Sequence, residues 1–293
     1  MWITHPNNIF VENVVAGSDA YGFWFDMQDT SVGPSYSPNI CPVGETLGEF
    51  RDNTAHSTHK YGLRIHHVLL PRENPCKPMP AFNKTNTADP YLGNRPILAD
   101  FINFVGWKAG RNCAISERTG YIHYTNFKCA DSGIAGIEFS MTNEIADGYA
   151  KISGGMVIGN TGVNNDDGQL GTTRVWGVIT PRTEGMTVEN VSFYNFNFAG
   201  SAAIGDCSHC FHPAATDSGA RTVRTSGLVF DAATVPQKIF YQLPWRGIFL
   251  DLDGSLTGLG PNSWATPNWA HNRVTECTVS LPVHNGLICT SAV

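Results

Sequence analysis

Four places in this sequence combine residue types at spacings that suit chemistry. Asp251-Leu252-Asp253-Gly254-Ser255 alternates carboxylates ahead of a glycine, an arrangement that can turn oxygens toward one hard cation such as calcium. The position where a calcium loop would place its bidentate Glu is Asn262, so a corner or hairpin turn is the plainer reading and a calcium ion would need a second loop. Asn164-Asn165-Asp166-Asp167-Gly168 sets two carboxylates, Asp166 and Asp167, in a polar stretch, the pairing that polysaccharide cleavage uses for acid and base. The sequence carries no Gly-His-Gly or Arg-x-Lys set to accompany them, and a solvated turn competes. Cys207-Ser208-His209-Cys210 with His212 has thiols spaced to meet one zinc ion, but no second Cys or His pair follows at finger-like spacing, which favours a disulfide or surface loop. His56 is the remaining catalytic candidate: a neutral imidazole can act as a general base or contact a sugar, while a hydrogen-bonded structural role explains it more simply.

Any of these needs a scaffold, and the sequence repeats one. Val11-Glu12-Asn13-Val14-Val15-Ala16 leads to Tyr21-Gly22-Phe23-Trp24-Phe25, and Arg51-Asp52-Asn53-Thr54-Ala55-His56 leads to Tyr61-Gly62-Leu63-Arg64-Ile65. The unit returns at Asn126 leading to Gly136 and at Asn190 leading to Gly200, with a looser copy around Asn103. From Asn to Gly the count is nine residues in the first two copies and ten in the next two. Each copy reads as a short alternating strand, an Asn turn and a second strand opening on Gly, because Asn and Gly tolerate the left-handed backbone of sharp corners. Repeats of this length stack as a solenoid, so the expected fold is an all-β, right-handed parallel β-helix over most of residues 1–250. Asn13, Asn53, Asn126 and Asn190 are then expected at equivalent corners, where stacked amides bond along the axis. Polar stretches at about 71–96, 160–173 and 209–225 are expected to be inserted loops that build any groove.

The composition limits what such a scaffold does. With 42% hydrophobic residues in 293, the chain can bury a large core, and one domain over 1–293 with a C-terminal cap at about 245–293 is the expected organisation. A net charge of −6, with 19 Lys and Arg and no basic run, offers no footprint for nucleic acid. No window approaches the ~20 apolar residues of a membrane span, and the first residues lack the pattern of a signal peptide. Eight Cys form an even set, though 105 pairings are possible. Together with sequons at Asn83 and Asn190, they favour an oxidising extracellular setting in which those two residues are glycosylation candidates.

Several phrases in order carry a resemblance: Gly22-Phe23-Trp24-Phe25, Gly33-Pro34-Ser35, Leu47-Gly48-Glu49-Phe50, Asn53-Thr54-Ala55-His56-Ser57, Ala130-Asp131-Ser132-Gly133-Ile134, Trp176-Gly177 and Asp251-Leu252-Asp253-Gly254-Ser255-Leu256-Thr257-Gly258. Over nearly the whole chain the set resembles the β-helix of the fibrocystin and fibrocystin-L family, which is related to a hyaluronan-binding protein and a cell-surface hyaluronidase. The resemblance implies a β-helix from a larger extracellular or cell-surface protein, of which this sequence would be a fragment. It also implies a disulfide between Cys277 and Cys289, which follow the Asp251–Gly258 motif at nearly the family's spacing, with Pro282, Asn285 and Gly286 able to turn the chain between them.

The expected function is a structural and adhesive extracellular module whose partners are other extracellular domains or surface proteins. The alternative is a polysaccharide-binding or hyaluronan-depolymerising domain. A cluster of carboxylates and basic residues on one flank of successive coils would favour the alternative. The sequence by itself assembles no such cluster, and an enzyme is therefore the less favoured reading.

Overall fold

The chain's computed structural model describes residues 1–78, 80, 83, 85–142, 150–162, 175–182, 186–206, 221–241, 247–268 and 276–290. Asp166, Asp167 and the Cys207–His212 set lie outside them.

The described strands stack as a parallel β-helix with three faces. The first face runs through Ile9–Val11, Glu49–Arg51, Ala99–Ile102, the leading halves of Ile122–Ala130 and Ala150–Ile158, then Met186–Glu189, Arg221–Ser226 and Gly247–Asp251. The second holds Val14–Ala16, Thr54–Thr58, Val105–Ala109, the trailing halves of those two long strands, Ser192–Tyr194 and Val229–Phe230. The third holds Trp2–Ile3, Tyr21–Asp26, Tyr61–His66, Asn112–Ser116, Ala135–Phe139, Trp176–Ile179, Ala202–Gly205 and Ile239–Phe240. Parallel neighbours need a long crossover, and here the other two faces of each coil supply it.

A left-handed residue makes the corner between the first and second faces. Glu12, Asp52, Asn103, Asn126, Gly154, Asn190 and Gly227 occupy it with φ of 57°, 57°, 55°, 55°, 72°, 56° and 60°. Its N–H bonds the next coil: Glu12 to the Arg51 carbonyl at 3.2 Å, Asp52 to Ile102 at 3.1 Å, Asn103 to Thr125 at 2.9 Å and Asn190 to Ser226 at 2.9 Å. Side chains continue the ladder, with Asn126 Nδ2 donating to Asn103 Oδ1 at 2.7 Å and Asn103 Nδ2 to Asp52 Oδ1 at 2.8 Å.

The four asparagines expected at equivalent corners are therefore not equivalent. Asn126 and Asn190 sit at the corner, whereas Asn13 and Asn53 sit one residue past it, in register with Phe104, Phe127, Val191 and Leu228. There Asn53 is fully buried; its Oδ1 accepts from the Asn13 N–H and Nδ2, both at 3.0 Å, and its Nδ2 donates to the Phe10 carbonyl at 2.8 Å. The register shows why. Gly22, Gly62, Cys113 and Gly136 stack in one column, and counting back ten residues from each gives 12, 52, 103 and 126.

The interior is built from columns one residue deep per coil. Phe23, Leu63, Ala114, Ile137, Val178, Ile204 and Ile239 form one column of the third face, and all are shielded from solvent. Facing it are Phe50, Phe101, Tyr124, Ile152 and Val188, with Phe23 edge-on to Phe50 at 5.3 Å between ring centroids. Burying each such side chain is worth about 1.5–3 kcal/mol, so the columns supply most of the stabilisation. The Gly22 column must stay small, because a Cβ on Gly22 would stand 2.6 Å from that of Ala55. Where this column carries Cys113, the thiol reaches across to Cys129 in a buried disulfide with Cα atoms 5.8 Å apart. Cys41–Cys76 ties two connections that leave the third face, with Cα atoms 5.1 Å apart.

After Asp251 the pairing changes sense. Ser263–Thr266 lies antiparallel to Gly247–Asp251, Gly286–Cys289 follows antiparallel to it, and Cys277–Ser280 closes the sheet. Cys277 and Cys289 stand opposite each other in this sheet and are joined by a disulfide, with Cα atoms 4.1 Å apart.

The end of the stack is closed by a buried carboxylate. The inward column of the first face passes from Val188 to Thr225 to Asp251, exchanging apolar for polar. Asp251 Oδ2 accepts from the N–H groups of Leu256 at 3.0 Å and Thr257 at 2.7 Å, and from Thr257 Oγ1 at 2.9 Å. This draws the following loop over the last coil and buries Leu256 in the core. From the far side, His284 Nε2 meets the Leu256 carbonyl at 2.9 Å and Lys238 Nζ meets it at 2.6 Å.

Two outcomes follow from the cap. Asp251→Ala orphans two buried N–H groups and should lower unfolding free energy by about 3 kcal/mol, since bonds to charged groups contribute roughly 1.5–3 kcal/mol each. Hydrogen exchange in residues 252–266 and 276–289 should accelerate first, and an unchanged denaturation midpoint would contradict this role. Burial lowers the pKa of His284 below its ordinary value. The unfolded chain then binds the extra proton, so the stability contributed by neutral His284 is fully present above about pH 6.5 and is lost progressively as pH falls from there through the lower folded-state value. The denaturation midpoint should drop between pH 7 and pH 5, and less in His284→Gln; equal slopes for the two chains would rule the role out.

Candidate functional site

The outer surface of the third face, in its first coils, gathers ionisable and aromatic groups from three turns of the helix. The register sets Asp26 beside His66, and because Ser116 pairs Ile65, Glu117 comes next in the same outward column. The Glu117 N–H donates to the Ile65 carbonyl at 3.2 Å and fixes that position. One column inward along the strands stand Trp24, Arg64 and Ile115.

These side chains form a connected network. His66 Nδ1 lies 3.2 Å from Asp26 Oδ1, and Asp26 Oδ2 accepts from Trp2 Nε1 at 3.1 Å. Arg64 donates through Nε at 3.0 Å and Nη2 at 2.5 Å to Glu117 Oε1, and through Nη1 to the Tyr21 hydroxyl at 2.7 Å. Glu117 Oε2 faces His66 Nε2 at 3.8 Å. His67 follows the strand, exposed, with its ring 3.7 Å from that of His66 between centroids.

Beside the network runs an aromatic ribbon. Trp2 stacks on Trp24 at 5.7 Å, Trp24 meets Tyr21 at 4.9 Å, and Tyr21 stacks on Tyr61 at 5.9 Å with the rings parallel to within 1°. The Arg64 guanidinium lies 5.2 Å and 5.3 Å from the two tyrosine rings, and Lys60 Nζ lies 5.8 Å from Tyr21. Arg111 Nη1 donates to the Tyr61 hydroxyl at 3.2 Å, which raises the guanidinium's pKa further. Three cations thus frame two stacked phenol rings, and Trp2 is 67% exposed at the ribbon's end. Further along the same face the character changes: Glu138 is buried against Asn112 at 2.6 Å and Ser140 at 3.0 Å, and Trp176, Ile179 and Ala202 pack in a closed apolar cluster. Among the described residues, the open polar flank is confined to the first coils.

The residues singled out by sequence lie elsewhere. His56 is on the outside of the second face, its ring stacked on Trp107 at 4.3 Å and 8°, with Nδ1 3.2 Å from Ser57 Oγ. Trp107 borders an open groove of about 410 Å³ with Val105, Lys128, Met156 and Ile158 on strand exteriors and Thr161 from the expected 160–173 loop. Asp253 Oδ1 accepts from the Ser255 N–H at 3.0 Å and Oδ2 from the Gly227 N–H at 2.6 Å. Asp251 likewise holds Leu256 and Thr257 through Oδ2, while its Oδ1 is buried without a hydrogen-bond partner. Asn83 and Asn190 are exposed, and Asn83 Oδ1 accepts from Thr85 Oγ1 of its own sequon at 2.7 Å.

Sequence reasoning missed Asp26, Arg64, His66, His67 and Glu117, although a signal existed: Asp26, His66 and Glu117 each follow the stacked Gly22, Gly62 or Cys113 by four residues.

The coil stack and its disulfides define a fibrocystin-L-like and CEMIP-like β-helix domain, of an extracellular type. Residues 1–63 match the family model described as CEMIP beta-helix, a span that holds Trp2, Tyr21, Asp26 and Tyr61 and stops short of Arg64. Fibrocystin-L of Homo sapiens is 31% identical over 269 residues, covering 88% of this chain and 6% of that protein. The Mus musculus cell migration-inducing and hyaluronan-binding protein is 24% identical over 341 residues, covering 99% of this chain and 24% of its own length. The Danio rerio cell surface hyaluronidase is 25% identical over 348 residues, covering 99% of this chain and 23% of its own length. The chain thus spans 6% of the length of fibrocystin-L. Among the described residues, no helix is long and apolar enough to cross a membrane.

Proposed function

We propose that this chain is an adhesive module of an extracellular, cell-surface protein, and that it adheres by binding an acidic polysaccharide along the outer third face without cleaving it. The observation that carries the reading is the aromatic ribbon Trp2–Trp24–Tyr21–Tyr61 with Lys60, Arg64 and Arg111 around it. Flat rings offer stacking area to the apolar faces of sugar rings, and Lys60 and Arg111 offer charge-assisted bonds to uronate carboxylates, while Arg64, bonded to Glu117 and Tyr21, holds the ribbon in place. Because the platform sits on strands held from both sides by neighbouring coils, it is preorganised and loses little entropy on binding. The hyaluronan-binding name of one relative supports a saccharide partner, and three disulfides among the described residues support an extracellular setting.

Binding without turnover follows from how the acids are used. Glu117 Oε1 is committed to Arg64, and Asp26 to Trp2 and His66, and among the described residues no carboxylate of this flank is paired with another across an open gap. The hyaluronidase name of another relative makes depolymerisation the reading to exclude.

Titration calorimetry with hyaluronan oligosaccharides should give saturable binding that weakens about tenfold, or by roughly 1.4 kcal/mol, in a Trp2→Ala, Lys60→Ala double variant. Size-exclusion chromatography of long hyaluronan after incubation should show no shortening. Absent binding, or binding indifferent to the double variant, would refute the surface; shortening that disappears in His56→Ala or Asp167→Asn would replace adhesion by hydrolysis.

A further inference from the structure

We infer that His66, His67 and Glu117 form a binding site for a divalent transition-metal ion of the zinc class, on the outer third face. One ligand atom from each of these residues lies within 4.8 Å of the other two. Two imidazoles and one carboxylate are the donor set of three-ligand zinc sites that keep further positions open, here toward solvent. Ligands about 2.0–2.1 Å from zinc at tetrahedral angles stand roughly 3.3 Å apart, so small side-chain rotations close the set.

Two groups outside the set orient it. Asp26 Oδ1, at 3.2 Å from His66 Nδ1, accepts the Nδ1–H hydrogen bond and so leaves the lone pair of Nε2 facing Glu117. Arg64 places both of its bonds on Glu117 Oε1, so Oε2 is the oxygen presented to His66 Nε2 at 3.8 Å. A neutral imidazole nitrogen and a carboxylate oxygen are both acceptors, and at that separation no hydrogen bond joins them. Something positive belongs between them, and the ring of His67, 3.7 Å from that of His66, supplies the third side. A carboxylate–histidine–metal chain has this layout. The competing arrangement is a second proton on His66, which would make an imidazolium between two carboxylates with no need of His67.

This inference does not rest on saccharide binding, and its test uses no saccharide. The 293-residue chain, stripped with a chelator, is titrated with zinc against a chromogenic competitor and with cobalt while ligand-field absorption is recorded. The expected result is one saturable site with a cobalt spectrum of low coordination number. His67→Ala alters an exposed side chain and should weaken zinc more than tenfold with unchanged circular dichroism; Glu117→Gln should do the same. Asp26→Asn, through positioning alone, should weaken it by about 10–100-fold and shift the cobalt bands. Failure to saturate one site, or affinity and spectrum that persist in a His67→Ala, Glu117→Gln double variant, would overturn the assignment and leave the imidazolium.

Discussion

The parallel ladder between coils is the constraint on which the rest depends. Each coil must place its corner, its inward column and its outward columns in register with the coil before it, because a one-residue slip would exchange the core and solvent faces. The left-handed corner residue holds this register, since its N–H bonds the carbonyl preceding the corner of the next coil. Given that constraint, residues 40, 51 or 23 apart in sequence become neighbours, as Asn53 and Asn13, Asn103 and Asp52, and Asn126 and Asn103 show. The buried columns, the disulfide between Cys113 and Cys129 and the outer network of Asp26, Arg64, His66 and Glu117 are all products of the same alignment.

Most of the architecture was legible because the corner and the small column are local signals. Asn126 ahead of Gly136 announces a strand, a turn and a strand from side-chain volume and backbone preference alone. The ten residues from Asn126 to Gly136, against nine in the first two copies, place Asn13 and Asn53 past the corner, whose occupants there are Glu12 and Asp52, which a search for Asn overlooks. In the Asn190 copy the count to Gly200 carries no register, because Ala203 holds the small column. The outer site was harder to read. Asp26 and His66 share a repeat position, yet Glu117 belongs to a copy whose glycine is replaced by Cys113, and long connections of unequal length separate all three. Charge clusters created by register have no short-range signature.

Asp251 and Asp253 show how one local motif can serve a second purpose. Their alternation before Gly254 looks like cation chemistry because oxygens at alternate positions converge, whereas the structure uses the same geometry to collect N–H donors from Leu256, Thr257, Ser255 and Gly227. A solenoid must close its open end, and a buried carboxylate that folds a loop across the last coil does so while burying Leu256. The antiparallel sheet and the Cys277–Cys289 bridge then secure that end.

Register is best tested between side chains that only the coil stack brings together. Arg64 and Glu117 are 53 residues apart, both largely shielded, with a bond of 2.5 Å between them. A double-mutant cycle on unfolding, using Arg64→Met and Glu117→Gln, should give a coupling of about 1 kcal/mol, as contacting partly shielded pairs do. Effects that add to within roughly 0.3 kcal/mol would mean that the two side chains do not meet and that the coils stack in another register.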